Sequence, residues 1–219
     1  PMIGATRQEM GDITLGAKYL AYKEGDWAIA VAPRLVLPTG RESSIDRLVD
    51  IAPGDGQWDI GASATAEYFA NGNLSFNSTA SGVVQLAHTR ARRIPYRRWE
   101  NPTPDIDRDV EEKLGNIYGT SLGTKYTFGR GWALSGQYSF FYKEQDVVRG
   151  SKFEAERYTW MSDDTEQLMQ AAQAGLTFST VPLYRSGAFQ APLETTLSVA
   201  TSVGGRNVPR ATLAAWELS

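Results

Sequence analysis

The sequence predicts an all-β protein: an antiparallel, up-and-down transmembrane β-barrel with about nine strands in view and about 10–12 in the native barrel. Three observations predict it. Period-two alternation of apolar and polar residues runs through unusually long segments. The connections between those segments alternate between short and long. Aromatic residues recur beside the short connections.

The cleanest segment is 57–70, with Trp58, Ile60, Ala62, Ala64, Ala66 and Tyr68 on one face and Gln57, Asp59, Gly61, Ser63, Thr65 and Glu67 on the other. A soluble strand averages about 5–6 residues, whereas a tilted barrel strand needs about 9–11 to cross a bilayer. Along 12–22, Ile13, Leu15, Ala17, Tyr19 and Ala21 oppose Asp12, Thr14, Gly16 and Lys18. Trp27, Ile29, Val31, Leu35 and Leu37 share a face in 27–37, with Arg34 opposite. Segments 74–86, 116–128, 132–142 and 193–203 repeat the pattern and set Asn77, Gln85, Lys125, Gln137 and Glu194 on the polar face. Segment 165–179 alternates loosely and has helix-favouring composition over 166–174. The last strand, 210–219, is read with Ala214, Trp216 and Leu218 outward.

The short connections centre on Glu24-Gly25, Asn71-Gly72-Asn73 and Gly129-Arg130-Gly131, residues that tolerate the positive φ of hairpin turns. A fourth, 181–192, is longer. The other side carries long loops at 38–56, 87–115 and 143–164 and a shorter one at 204–210, and in outer-membrane barrels the long loops face outside the cell. A short helix is expected at 107–114. Tyr22 and Trp27, Tyr68 and Phe76, and Phe128 and Trp132 flank the first three short turns, where an aromatic girdle belongs.

Composition agrees. Hydrophobic residues are 42% and mean hydropathy is -0.35. No apolar run is long enough for a membrane helix, but barrel strands show lipid only every second residue. There are 21 glycines and no cysteines, which removes disulfides, thiol chemistry and cysteine metal sites. A net charge of -3 gives no electrostatic basis for nucleic-acid binding. The strand phase adds one expectation. The first strand runs from the long-loop side into a short turn, so an odd number of strands is expected to precede residue 1. The chain, 1–219, then reads as one barrel domain lacking N-terminal strands.

Gly11-Asp12-Ile13, then Gly16, Lys18 and Tyr19, followed by Leu37-Pro38-Thr39-Gly40, resemble the outer-membrane family of meta-pathway phenol-degradation proteins. Gly54-Asp55-Gly56 with Asp59-Ile60-Gly61 fits the start of that family's next strand. The resemblance covers about the first 85 residues and continues as strand rhythm alone. It implies a barrel linked to uptake of aromatic or other hydrophobic compounds, and it brings no catalytic residues.

The candidate lumen-lining set is Asp12, Thr14, Lys18, Arg34, Asp59, Thr65, Glu67, Asn77, Gln85, Lys125, Gln137 and Glu194. Both charge signs occur, and a barrel of about 8–12 strands favours a filled or constricted lumen in which they pair. Leu37-Pro38-Thr39-Gly40 reads as a strand terminator. The arginines Arg90, Arg92, Arg93, Arg97 and Arg98 could grip lipopolysaccharide phosphates, but pairing with the loop's own Asp105, Asp107, Asp109, Glu111 and Glu112 is favoured. His88 is the single histidine, and no catalytic or metal motif accompanies it.

The expectation is therefore a non-enzymatic barrel of the bacterial outer membrane, with no metal and no cofactor. Its partners are membrane lipid, lipopolysaccharide and a small hydrophobic substrate. The leading function is passive transport of small hydrophobic or aromatic molecules. The alternative is a structural or interaction barrel with a filled lumen, whose loops bind a partner or lipopolysaccharide. A rim enzyme using His88 ranks third, and the fold-level rival is a soluble ligand-binding barrel with its apolar face inward.

Overall fold

The computed structural model describes residues 9–46, 52–98 and 104–218. The main sheet is an antiparallel meander ordered β1-β3-β4-β5-β8-β9-β11-β12-β13, with β2 also on β3. Its strands are β1 (Ile13–Gly16), β2 (Tyr19–Glu24), β3 (Trp27–Leu37), β4 (Asp59–Phe69), β5 (Leu74–Gln85), β8 (Ile117–Phe128), β9 (Trp132–Lys143), β11 (Gln167–Ser179), β12 (Glu194–Arg206) and β13 (Thr212–Leu218). β1 and β2 lie end to end along β3, so the wall is nine strands wide, and each predicted segment forms one of them. The loosely patterned segment is strand throughout, because β11 pairs with β9 and β12 over its whole length.

Register decides which side chains share a face. Ile60 pairs with Leu35 and Val84, apolar against apolar, and Thr65 with Ala30 and Thr79, polar against small. One correction concerns the first strand. A bulge between Leu20 and Tyr22 leaves Ala21 unpaired and sets Tyr22 opposite Ile29. An extra residue reverses the alternation beyond it. Tyr22 thus joins the face of Trp27, and Ala21 does not continue the apolar stripe.

The long connections are more ordered than loops. β6 (His88–Arg93), β7 (Ile106–Lys113) and β10 (Val147–Arg149) form a second sheet ordered β10-β7-β6, flanked by α1 (Ala155–Ser162). The expected helix at 107–114 is therefore wrong: pairing on both edges makes this stretch a strand. Ile94, Val110, Val148 and Tyr158 form a small core here, with Phe153 and Met161 against it. Tyr158 donates a 2.5 Å hydrogen bond to Asp107 and accepts the amides of Lys152 and Phe153. Arg157 donates to the Ile94 and Pro95 carbonyls and to Asp105, under the ring of Phe153. We call this unit the cap. On the opposite side, α2 (Val181–Arg185) sits in the connection between β11 and β12.

The main sheet has almost no core of its own. Every element pair in substantial contact is a sheet neighbour, apart from α1 on β10, so among the described residues no other element packs on the apolar face. Among the described helices, none is long and apolar enough to cross a membrane.

Candidate functional site

Neighbouring residues on opposite faces show which side is enclosed. Gln57 is 0% exposed and Trp58 48%; Val83 is 5% and Val84 48%; Ala133 is 6% and Leu134 54%. The buried member is always on the polar face. A soluble barrel requires the reverse, so that rival is set aside. The bare face carries Ile13, Leu15, Val31, Ile60, Leu122, Leu176, Leu197 and Val199. A contiguous exposed apolar face marks a surface that meets lipid or protein rather than water.

The aromatics form two rows near the short turns. Trp27 pairs with Tyr68, which pairs with Phe76, and the Trp27 and Tyr68 rings lie 4.8 Å apart. Phe128 pairs with Trp132 and Trp132 with Phe178, again at 4.8 Å. The sequence reading left out Phe178, although its place in β11, opposite Trp132, continues the row.

The enclosed face is walled by small side chains at mid-depth: Ala30, Ser63, Thr79, Ser121, Ser139 and Ala171 lie on successive strands. Hydroxyl pairs tie neighbouring strands, Thr65 to Thr79 at 3.0 Å and Thr177 to Thr196 at 2.9 Å. Long polar side chains lie flat where the neighbour is glycine. A Cβ at Gly61 would come within 2.9 Å of Arg34 Nε, and one at Gly123 within 2.5 Å of Asn77 Oδ1.

Of the candidate lumen set, Thr14, Arg34, Asp59, Thr65, Glu67, Asn77, Gln85, Lys125, Gln137 and Glu194 have polar-face register. Lys18, Thr65 and Glu67 come together with Leu20, Ala28 and Ala30 around a cavity of about 310 Å³. Lys18, Arg34, Asp59, Glu67, Lys125 and Glu194 form no ion pair; among the described residues the ion pairs lie in the loops, the cap and at strand ends. Small residues, rather than a salt-bridge network, line the middle of this wall.

Asp12 has another task. Its carboxylate accepts the amides of Gly40 at 2.8 Å and Asp55 at 3.4 Å, fastening both ends of loop 38–56. Thr39 Oγ1 accepts the Ile13 amide at 3.0 Å and donates to the Gly11 carbonyl. Gly40 and Gly54 meet backbone to backbone, and a Cβ on Gly54 would stand 2.8 Å from Gly40. The Gly-Asp-Ile, Pro-Thr-Gly and Gly-Asp-Gly stretches are thus one clasp at the mouth. Asp12→Ala removes the acceptor from two amides, at a cost of about 1–3 kcal/mol. The expected result is faster tryptic cleavage at Arg41 with the strands still folded; unchanged cleavage would show that the clasp does not hold the loop.

Burial on the polar face rises toward this mouth: along β5, Asn77 and Ser81 are exposed while Val83 and Gln85 are buried. The described parts of loop 38–56, together with the cap, cover it. Arg90 reaches the Asp55 carbonyl, Arg93 the Ile45 carbonyl at 2.8 Å, and the Leu114 amide donates to Gln57 Oε1. Gln57 Nε2, Asp59 Oδ1, Gln85 Oε1 and both ring nitrogens of His88 are buried here without a hydrogen-bond partner. Among the described residues, no serine or aspartate is hydrogen-bonded to His88.

The arginine cluster is largely engaged. Arg90 and Arg92 both bind Glu112 at 2.5 Å, and Arg98 binds Asp163 at 2.8 Å. Arg90 and Arg92 are spoken for inside the cap rather than offered to an outside anion. Burial pushes the Glu112 carboxyl up, but hydrogen bonds from Arg90 and Arg92 outweigh it and hold it below its ordinary value. Among the described residues, no group of three or more His, Cys, Asp or Glu is placed to hold a metal.

A nine-strand antiparallel meander, apolar and bare on one face, polar and partly covered on the other, with a loop cap at one end, is a β-barrel of the outer-membrane type. Comparison gives the family. The chain belongs to the family described as "Putative MetA-pathway of phenol degradation", whose model matches residues 3–182. The crystal structure of an outer membrane channel from Pseudomonas putida F1 is similar in fold, with a TM-score of 0.60 at 11% identity. That similarity covers 97% of this chain and 65% of that one, so the chain spans about two-thirds of the channel's length. None of the curated proteins matches the chain in sequence.

Proposed function

We propose that this chain forms the greater part of a passive channel in the bacterial outer membrane for small, mainly hydrophobic or aromatic molecules. The observation that carries the proposal is the inner wall: small side chains at mid-depth and lumen charges that do not pair. A structural barrel would have a filled lumen, whereas Ser63, Thr79, Ser121 and Ser139 put small side chains at mid-depth on this wall. The channel described in Pseudomonas putida supports the reading through its shared fold, and the family's phenol-degradation name supports an aromatic solute. The Lys18–Glu67 cavity, floored by Ala28 and Ala30, offers a place for such a solute to rest.

The test is flux through proteoliposomes holding the full-length protein. Uptake of a small aromatic alcohol above protein-free vesicles is expected. Ser121→Trp, on the inner wall, should cut that uptake several-fold without unfolding the barrel. Wild-type vesicles no more permeable than empty ones would overturn the proposal.

A further inference from the structure

Three polar side chains on the enclosed face end beneath the cap with an unused hydrogen-bonding atom. Asp59 and Gln85 form a cross-strand pair where β4 and β5 reach the capped end, and Gln57 precedes Asp59 by two residues on the same face. Gln57 is 0% exposed and Gln85 5%. Gln57 Nε2, Asp59 Oδ1 and Gln85 Oε1 are buried and make no hydrogen bond. Buried polar groups are almost always paired, so three neighbouring exceptions need a cause.

Bonds made elsewhere hold these residues in place. The Gln57 amide donates to Asp55 Oδ1 at 2.9 Å, and Gln57 Oε1 accepts the Leu114 amide at 3.5 Å. Turned end for end, the side-chain amide would set its own N–H groups against that donor, so Nε2 keeps its place as the unused donor. Asp55 is fastened in turn, since its amide donates to Asp12. The Gln85 amide donates to Asn116 Oδ1 at 3.2 Å. Wall and cap thus fix the chain around the three groups, while their polar ends stay unused.

One donor and two acceptors select their ligand by polarity. A hydroxyl matches them, because it accepts from Gln57 Nε2 while donating to Asp59 or Gln85. An ammonium brings donors alone and leaves Nε2 unmet. A carboxylate brings acceptors alone and opposes Asp59 and Gln85. A hydrocarbon leaves all three unpaired. The His88 ring, whose nitrogens are also unpartnered, adds one donor and one acceptor in its neutral form and does not tip the balance. We propose that Gln57, Asp59 and Gln85 form a binding site for the hydroxyl group of a small neutral solute, a proposal that rests on this face being the enclosed lumen of the proposed channel. Such a site turns away analogues that lack the hydroxyl, because its buried polar groups are then left unpaired.

Benzyl alcohol, benzylammonium and benzoate share a ring and differ in the group that the site reads. Their binding to the full-length protein in lipid nanodiscs, measured by calorimetry against protein-free discs, is expected to rank the alcohol first. Gln85→Met removes one acceptor and should weaken alcohol binding about threefold to tenfold, the worth of one hydrogen bond. Gln57→Glu keeps an oxygen for the Leu114 amide but turns the donor into a further acceptor, so the preference should switch to benzylammonium. The ranking in the unaltered protein depends on no variant folding. Absent or equal binding of the three probes would overturn the inference. So would an alcohol affinity left unchanged by both substitutions in a folded barrel, since the three atoms would then hold only water. Flux is read separately: conduction without this ranking sinks the site and spares the channel, and the ranking without conduction does the reverse.

Discussion

Arginine in place of Leu122 is expected to destabilise the folded protein by about 2–4 kcal/mol, whereas arginine in place of its neighbour Ser121 should cost far less. Leu122 lies near the middle of β8 on the bare face, between Ser78 and Tyr138. A guanidinium there must sit in hydrocarbon or distort the lipid around it. Ser121, one residue away, points to the enclosed side between Thr79 and Ser139, where an arginine stays hydrated and instead narrows the bore. Unfolding in urea, followed by the heat-dependent gel shift of a folded barrel, separates the two. The variants should part in opposite directions: Leu122→Arg loses stability and keeps its conduction when folded, and Ser121→Arg keeps stability and loses conduction. Equal destabilisation of both would contradict the assignment of faces.

The second large effect is expected in the cap. Glu112→Ala leaves Arg90 and Arg92 partly buried without their shared carboxylate, which costs about 3–5 kcal/mol when the partner of a buried ion pair is removed. Because the cap has its own core, the loss should open the cap and spare the wall. Limited proteolysis at 90–98 with an unchanged barrel gel shift is the expected readout. Acid should act in the same way. Glu112 is held below its ordinary value of 4.5. For Asp107, burial raises the carboxyl, but the Tyr158 hydroxyl and the Asp109 amide outweigh it and hold it below its ordinary 3.8. A carboxyl with a lowered folded-state pKa contributes stability above its unfolded value and loses it as pH falls through the folded one. Cap stability should therefore be intact at neutral pH and decline below about pH 4. Tyr158 has the opposite sign: burial, then the Asp107 carboxylate, raises its hydroxyl above the ordinary 10, so its contribution fades only in strong alkali. Cap proteolysis that does not change between pH 7 and pH 3 would contradict this ion-pair account.

Period-two patterning made the wall legible because each strand shows one face to lipid, and that demand is local. Ile60, Leu134 and Leu197 announce their side within their own segments. The cap was not legible for the opposite reason. Its core joins Ile94, Val110, Val148 and Tyr158 from four separate segments, and none of those segments alone shows the apolar face it buries. The stretch 106–113 carries helix-favouring glutamates, but pairing on both edges overrode that preference. The bulge at Leu20 to Tyr22 was similarly hidden, since an extra residue shows only in its register against β3. At the mouth, the Pro-Thr-Gly stretch was readable as a strand terminator. That Asp12 fastens it to Asp55 was not, because the two are 43 positions apart. The strand residues read as lumen-lining share the polar face of the sheet in register, a placement each segment's own alternation carries.

Everything proposed for this protein depends on lipid meeting the apolar face. Spin labels placed singly from Tyr118 to Tyr126 in the full-length protein, reconstituted in bilayers, measure this most directly. Labels at Tyr118, Leu122 and Tyr126 should be relaxed by oxygen dissolved in the lipid, and labels at Gly119, Ser121, Gly123 and Lys125 by a water-soluble nickel chelate. Nickel access at Leu122 together with oxygen access at Ser121 would contradict the account.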